Sequence, residues 1–275
     1  FYRYFQLHSP EDIWLDDMKF FKTHEHNGYE LERLFGLTPN LISNYFDPDV
    51  WDYMINLNPN GQSDLCQQLK DMGTDIVMVA ETSNFQFDGE VHYVPTHGYL
   101  PELIHLPGNI YYFGYWINKD WLENIRPALM QELIFPPVAG RQNLEYIKAI
   151  ETEECVSVHI RRGDFCKLGF ALDERFYCKA MPKMAAVLPN ATYLVFSDDI
   201  PWCKENYHEL GLNIAGERLV FVNGNEGENS YIDMVLMSRC RGMILANSAF
   251  SYFAALYNAR PDKLIINPMN DVRPV

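Results

Sequence analysis

At 275 residues, the chain is long enough to bury the core of one large α/β unit or of two domains of ordinary size. Its 48% hydrophobic and 14% aromatic content excludes a disordered protein. The net charge of −15, from 37 acidic and 22 basic residues, repels nucleic acid and anionic membrane, so an anionic partner has to meet a local basic site. We therefore expect a soluble, globular protein without general affinity for phosphate backbones.

Six cysteines occur without a CxxC pair or a metal-ligand spacing. A core of this size needs no disulfide bonds, so we expect all six to be reduced, small, buried hydrophobic residues. No apolar run is long enough to span a bilayer and no signal-peptide pattern is present, which leaves peripheral membrane association compatible with the sequence.

The first half of the chain has an irregular pattern. "FYRYFQLH" predicts a helix, "DIWLD", "TDIVMVA" and "NIYYFGYW" predict strands, and "NKDWLENIRPALMQELIF" predicts a helix that Pro127 kinks or divides. The composition of 136–143, "PPVAGRQN", is typical of a connection, and "LEYIKAIETEE" predicts the helix after it. We place a domain boundary within 136–150, which gives an N-terminal domain of 1–148 and a C-terminal domain of 149–275.

From Cys155 onward, short apolar runs alternate with amphipathic stretches. The predicted strands are "CVSVHI", "TYLVF", "RLVFV", "GMILA" and "KLIIN", and the predicted helices between them are "DERFYCKAMPKMAAVL", "PWCKENYHEL", "SYIDMVLMSRC" and "SAFSYFAALYN". Alternation of this kind predicts a parallel, doubly wound sheet, which is about one Rossmann-like unit.

Polar side chains follow these predicted strands where ligands of a doubly wound sheet bind. The residues at these strand ends are Arg161, Arg162, Gly163, Asp164, Ser197, Asp198, Asp199, Asn223, Gly224, Asn225, Asn247 and Ser248. A guanidinium binds phosphate oxygens bidentately, and the helix start after Ser248 offers a second anion site. The pattern predicts a positive pocket for the phosphates of a nucleotide inside an acidic protein.

Each of these features also has a purely structural interpretation. The arginines could pair with Asp164 or Asp198, "SYID" could be a capping box, Ser248 could be an N-cap, and "SDD" could be a turn. "THEH", with His24 and His26, lacks nearby metal ligands and is more typical of a solvated loop.

Four segments in order resemble motifs of the α-1,2-fucosyltransferases, glycosyltransferase family 11. "HIRRGD" is similar to the family's HxRRxD motif, and "LVFSDD" to its second motif. "SYIDMVLMSRCRGMILANSAFSYFAALYN" is similar to the third motif, and "YYFGYW" to a segment that precedes the linker. The chain departs from the family at Ala249, Tyr252 and Phe253, and the printed sequence does not contain the first strand and Gly-rich loop with which family members open.

The resemblance implies an α/β fold of the GT-B type, in which two Rossmann-type domains face each other. The N-terminal domain, 1–148, would lie on the acceptor side, and the C-terminal domain, 149–275, would bind GDP-fucose. It implies an inverting transfer of L-fucose to the 2-hydroxyl of a terminal galactose, without metal or other cofactor. Arg161 would bind the β-phosphate and Asp164 is our candidate base. The residues expected to bind GDP-fucose are His159, Arg161, Arg162, Ser197, Asp198, Asp233, Asn247 and Ser248.

The resemblance also sets the expected partners and compartment. The partners would be GDP-fucose and a galactose-terminated oligosaccharide, with no nucleic acid. The protein would be cytoplasmic, with or without peripheral membrane contact, in a bacterium, and would lie in the Golgi lumen in a eukaryote. Two further functions stay open, namely a fucosyltransferase of another linkage and a non-catalytic module that binds a GDP-sugar or a glycan.

Overall fold

The computed structural model describes residues 1–17, 30–57, 65–81, 91–94, 98–114, 116 and 118–268. The chain divides into two compact units, Phe1–Ile134 and Phe135–Val275. The sequence-based boundary at 148 lies inside a helix, Arg141–Thr152, and Ile150 of this helix is buried in the core of the second unit. His24 and His26 lie outside the described residues.

The first unit combines helices with a small parallel sheet. Its helices are α1 (Tyr2–His8), α2 (Glu30–Phe35), α3 (Pro48–Leu57), α4 (Leu65–Asp71) and α5 (Lys119–Glu132), with short 3-10 turns at Ile42–Asn44 and Pro101–His105. Its strands are β1 (Ile76–Glu81), β2 (Val91–Val94) and β3 (Asn109–Phe113), in the parallel order β2-β1-β3. Tyr4 and Phe5 of α1 are buried with Trp121 and Ile125 of α5, so apolar packing joins the two helices.

The second unit alternates strands and helices, as its sequence predicts. Its helices are α6 (Arg141–Thr152), α7 (Gly163–Leu168), α8 (Glu174–Val187), α9 (Ile200–Glu205), α10 (Tyr231–Arg239) and α11 (Ala249–Tyr257), with 3-10 turns at Leu212–Arg218 and Gly227–Asn229. Its strands are β4 (Cys155–Ile160), β5 (Thr192–Ser197), β6 (Leu219–Phe221), β7 (Gly242–Ile244) and β8 (Leu264–Ile266).

These five strands form one parallel sheet in the order β6-β5-β4-β7-β8. The order reverses at β4, because the chain moves outward to β6 on one side and then returns to β7 on the other. The register pairs Ile160 with Ser197 and Val158 with Ile244, so the segments that follow β4, β5 and β7 leave the same edge.

Helices cover both faces of this sheet, and the strands are apolar on both faces for that reason. Val156, Val158 and Ile160 of β4 pack with α8 and α9 in one cluster. Cys155, at the start of the same strand, packs with α6, α10 and α11 in the other cluster. Since side chains alternate along a strand, Ser157 and His159 belong to the face of Cys155.

Most predicted elements of the chain are confirmed, and three predictions need correction. "DIWLD" is not a strand, because Leu15 forms only an isolated bridge with Leu41. Helix α7 directly follows the two arginines, where the sequence pattern predicts no helix. Among the cysteines, Cys166 and Cys178 are exposed rather than buried, whereas the other four are buried.

The result for the fold class is an α/β protein with parallel sheets. The facing GT-B arrangement stays a prediction from the resemblance. Within the described ranges, no helix is both long and apolar enough to cross a bilayer.

Candidate functional site

The strand order predicts a ligand-binding crevice next to β4. In doubly wound sheets, ligands bind beyond the carboxyl ends of the strands, at the point where the strand order reverses. Here that point lies between β4 and β7. Arg161 follows β4 directly, and Asn247 and Ser248 lie between β7 and α11, so the topology brings these predicted site residues to one edge.

Two carboxylates hold the guanidinium of Arg161. Its Nη2 donates to Oδ1 of Asp164 at 2.6 Å, and its Nη1 forms an ion pair with Oδ2 of Asp198 at 3.0 Å. The guanidinium carbon also lies 5.4 Å from the ring centroid of Phe165. A guanidinium has five N–H donors, so these contacts fix its plane and leave donors for a ligand. The side chain is 28% exposed, which makes it accessible.

Arg162 has a mainly structural environment. Its Nε donates to Oδ2 of Asp199 at 3.3 Å, and its guanidinium carbon lies 3.3 Å from the centroid of the Trp202 ring. Asp199 is also the N-cap of α9, where its Oδ1 accepts from the main-chain N–H of Trp202 at 3.1 Å. Arg162 therefore anchors the start of α9 in this structure, and its predicted contact with substrate stays a prediction.

The loop after β4 is fastened to the loop after β5 through Asp198. The carboxylate accepts from the main-chain N–H of Arg162 at 2.8 Å. A Cβ at Gly163 would lie 2.6 Å from Oδ2 of Asp198, so the close approach needs glycine. The hydroxyl of Ser197 accepts from the N–H of Asp199 at 3.0 Å, which forms the turn that "SDD" predicts in its structural interpretation.

The charge balance around the two arginines differs from the expected positive pocket. Three carboxylates, those of Asp164, Asp198 and Asp199, form ion pairs with Arg161 and Arg162. The expectation of a surplus of positive charge is wrong, and the structural interpretation, in which the arginines pair with Asp164 or Asp198, is confirmed for Arg161. What the site offers a phosphate is donors in fixed positions rather than net charge.

His159 is a buried, neutral side chain at the end of β4. Burial, with the nearby positive charge of Arg161, lowers the pKa of its imidazole to about 3. The residue is 6% exposed, and its ring lies 5.6 Å from the ring of Phe250 in α11. Within the described part of the chain, its Nδ1 has no hydrogen-bond partner. A buried nitrogen of this kind is costly unless a ligand pairs with it.

The start of α11 lies beside this crevice. Ser248 is its N-cap, and its hydroxyl accepts from the N–H of Phe250 at 3.3 Å. Asn247 donates from Nδ2 to the carbonyl oxygen of Phe170 at 2.8 Å, while its buried Oδ1 has no partner among the residues described. Both residues thus take part in local structure and keep polar atoms next to the crevice.

Asp233 lies in a network of amide side chains rather than in a capping box. Its Oδ1 accepts from Nδ2 of Asn225 at 2.7 Å, and Asn225 exchanges two hydrogen bonds with Asn143. The N–H of Ser230, which a capping box would use, donates instead to the carbonyl oxygen of Gly227. The capping-box interpretation is therefore wrong. Burial, helped by the negative charge of Glu226 and opposed by the Asn225 bond, raises the pKa of Asp233 to about 6.

Several residues of the site do not follow from the sequence. Asn225 lies at a predicted strand end but is not among the predicted binding residues, although it is 5% exposed and bonds Asp233 directly. Asn143 and Trp202 reach the site only through tertiary packing, and no local pattern marks them. Among the residues that the structure describes, no group of three His, Cys, Asp or Glu side chains could hold a metal ion.

Comparisons with known proteins identify relatives of this chain. The model of "Glycosyl transferase family 11" matches residues 77–273. An α-1,2-colitosyltransferase of Escherichia coli is 32% identical over 54% of this chain and 52% of the relative. The O-antigen biosynthesis glycosyltransferase WbnK of the same species is 35% identical over 45% and 41%. Galactoside α-(1,2)-fucosyltransferase 2 of Rattus norvegicus is 25% identical over 55% and 45%.

The matched stretch spans about half the length of these relatives. The family model, by contrast, covers well over half of this chain and includes every predicted site residue from His159 to Ser248. The resemblance carried by the four motifs is thereby confirmed, and the chain belongs to glycosyl transferase family 11.

Proposed function

We propose that this chain is an inverting glycosyltransferase that moves L-fucose from GDP-fucose to the 2-hydroxyl of a terminal galactose. The observation that carries the proposal is Arg161, which two carboxylates hold at the switch point of a parallel sheet. Beside it lies the buried imidazole of His159, whose Nδ1 has no partner within the described residues. The name of the rat relative, a galactoside α-(1,2)-fucosyltransferase, supports the same acceptor and linkage.

In the proposed reaction, the 2-hydroxyl of galactose attacks the anomeric carbon of fucose from the side opposite GDP. The bond between that carbon and the phosphate oxygen breaks, and GDP leaves with the bonding electron pair. Arg161 binds the β-phosphate and stabilises the charge that develops on it. The hydroxyl proton passes to a carboxylate, for which Asp164 is the candidate. Its Oδ1 bonds Arg161, and its Oδ2 is the oxygen that we assign to accept the proton.

The guanine would be recognised by Asp233. Its carboxylate can accept from the two adjacent N–H donors of the base, N1 and the exocyclic N2. Asn225 already holds one carboxylate oxygen in place, which pre-orients the acceptor. The remaining polar groups at the same sheet edge are assigned to the donor as well, namely Arg162, Ser197, Asp198, Asn247 and Ser248.

A second candidate is transfer of colitose instead of fucose. It is favoured by the name of the relative that is 32% identical, an α-1,2-colitosyltransferase. A different fucosyl linkage and a non-catalytic binding module are distinguished from the main proposal by the reaction product, or by its absence.

The test is incubation with GDP-fucose and methyl β-galactopyranoside, followed by linkage analysis of the product by NMR. We expect an α-linked fucose on the 2-hydroxyl. A product linked elsewhere would replace the assigned linkage, and tight GDP binding without turnover would make the chain a binding module. Comparison of kcat/KM for nucleotide-linked fucose and colitose decides between the two donor sugars.

A further inference from the structure

Two large apolar side chains lie exposed beside the candidate site. Leu168 is 60% exposed and Phe170 is 59% exposed, and both follow Arg161 within a short stretch of chain. Exposed apolar surface next to a polar site commonly belongs to a binding surface. We call the two aromatic residues Phe165 and Phe170, together with Leu168 between them, the aromatic shelf.

The shelf is held in a fixed conformation. Gly169 ends α7 in the left-handed region, with φ of 71°, which turns the chain back on itself. The N–H groups of Phe170 and Ala171 both donate to the carbonyl oxygen of Phe165, at 2.8 and 3.1 Å. The carbonyl oxygen of Phe170 accepts from Asn247 at 2.8 Å. Exposure of Phe170 is therefore built into a hydrogen-bonded turn.

The shelf is also linked to the phosphate-binding arginine. The centroid of the Phe165 ring lies 5.4 Å from the guanidinium carbon of Arg161. The Phe170 ring packs edge-on against the Phe165 ring, with 6.1 Å between the two centroids. Asn247 connects the same turn to the segment before α11. An occupant of the shelf would thus lie next to the sugar of a donor whose phosphate is bound by Arg161.

We propose that the aromatic shelf is the acceptor subsite and that Phe170 stacks against the apolar face of the galactose ring. One face of a galactopyranose carries C–H groups and is apolar, and an exposed aromatic ring gains free energy by covering such a surface. This inference rests on the proposed function, and it adds where the acceptor binds and which residue selects it.

The test compares Phe170→Ala and Phe170→Trp with the protein itself, using methyl β-galactopyranoside as the acceptor. Covering part of an aromatic ring predicts a rise in acceptor KM of about five- to tenfold for Phe170→Ala. The KM for GDP-fucose should stay within about twofold of the original value in both variants, because the proposal places the ring against the acceptor and not against the donor. Phe170→Trp keeps an aromatic ring at this position and should retain most of the acceptor affinity of the original protein.

A matched control is Val187→Ala, which truncates an apolar side chain that is 60% exposed. Val187 is the last residue of α8 and lies toward the amino ends of the strands, away from the candidate site at their carboxyl ends. Equal acceptor KM values for Phe170→Ala and Val187→Ala would overturn the shelf. A change confined to the KM for GDP-fucose would overturn it too, because the ring would then contact the donor.

Saturation-transfer NMR of the galactoside with GDP present separates this inference from the proposed function. If the original protein and Phe170→Ala saturate the galactoside signals equally, the shelf alone fails, because the acceptor then binds elsewhere. If it neither binds GDP nor cleaves GDP-fucose, the proposed function fails, and the shelf fails with it.

Discussion

At the scale of single residues, Arg161 differs from an ordinary surface arginine in how its guanidinium is held. Asp164 and Asp198 fix it from two sides, and Phe165 lies against it. A fixed planar fork of donors suits the developing charge on a leaving phosphate, because no reorganisation is needed when the charge forms. A flexible ammonium group cannot reproduce that geometry.

Arg161→Lys should therefore lower turnover much more than it lowers GDP affinity. Loss of a preorganised donor to developing charge costs about 2.7–4 kcal/mol, or about 10²–10³ in kcat. The measurements are kcat with saturating GDP-fucose and the Kd of GDP by calorimetry. The control is Arg175→Lys, which should retain full activity. Arg175 is an exposed arginine of α8 that pairs with Asp173, the N-cap of that helix. Near-normal turnover of a folded Arg161→Lys protein would reduce Arg161 to a structural partner of the two acids.

The affinity for GDP should depend on pH through Asp233, and the pKa of its carboxyl gives the direction of that dependence. With a pKa of about 6 in the free protein, its carboxyl is mostly protonated at pH 5 and ionised at pH 7. Guanine needs the ionised form, so GDP affinity should be about tenfold weaker at pH 5 than at pH 7. His159, with a pKa of about 3, stays neutral over this range.

Asp233→Asn is the variant that isolates this effect. At pH 7 it should bind GDP at least about tenfold more weakly than the original protein, the equivalent of one lost hydrogen bond to a charged group. At pH 5, where Asp233 is mostly protonated, the two proteins should bind GDP about equally, since the terminal phosphate of GDP, with a pKa of about 6, affects both alike. If the ratio of the two proteins' GDP affinities is the same at pH 5 and at pH 7, base recognition lies elsewhere. The raised pKa also means that Asp233 stabilises the fold at low pH, and that this contribution is lost as pH rises from about 4 through 6.

At the scale of elements, strands were easier to predict than the short helix that completes the site. β4 and β5 are continuous apolar runs bounded by polar residues, and such runs identify buried parallel strands. α7 has six residues, "GDFCKL", without an apolar period, so no local signal could reveal it. Tertiary contacts fix its start, since Asp198 accepts from the N–H of Arg162, its N-cap residue.

The polar contacts of the site were the least accessible from sequence. Asn143, Asn225 and Asp233 come from α6, the loop after β6 and α10, and only the packing of these elements brings them together. A strand-end pattern identifies residue types but not their partners. For that reason the pattern correctly predicted that Arg161 lies at the edge of the sheet, yet it overestimated the positive charge there.

The start of α11 allows a prediction about stability. Ser251 is completely buried, and its hydroxyl accepts from the N–H of Ala246 and bonds the carbonyl oxygen of the same residue, both at 3.2 Å. Ser251→Ala leaves a buried N–H unpaired, so we expect the free energy of unfolding to fall by about 1–3 kcal/mol. Urea titration measures this, and GDP affinity should not change, because Ser251 is inaccessible.

Ser248→Ala is the comparison at the same helix. It removes an N-cap, at a cost of about 0.5–2 kcal/mol in stability, and by the proposed function also weakens GDP binding. The Ser251 hydroxyl also bonds the carbonyl oxygen of Ser248 at 3.3 Å, so weaker GDP binding by Ser251→Ala without a change in stability would mean that this bond positions Ser248.

At the scale of the whole molecule, the proposed function requires the site to bind an anionic diphosphate inside a protein of net charge −15. The two arginines of the site are already paired, so the question is whether a divalent ion supplies further positive charge. Asp198 and Asp199 would be its natural ligands, as the pair of acids after β5. Both carboxylates are instead occupied by donors, from Arg161, from the N–H groups of Arg162 and Trp202, and from the Arg162 side chain.

We therefore expect fucosyl transfer to continue without divalent ions. A metal at Asp198 would have to displace Arg161 and release the fastening between the loops after β4 and β5, which removes the donor geometry that the leaving phosphate needs. The measurement is the initial rate after exhaustive treatment with EDTA, compared with the rate after Mg²⁺ or Mn²⁺ is added back. The two rates should differ by less than about twofold, since neither removal nor addition of the metal ion should move the guanidinium of Arg161. A collapse that Mg²⁺ or Mn²⁺ restores, and that Asp199→Asn abolishes, would contradict this expectation and make the two acids metal ligands.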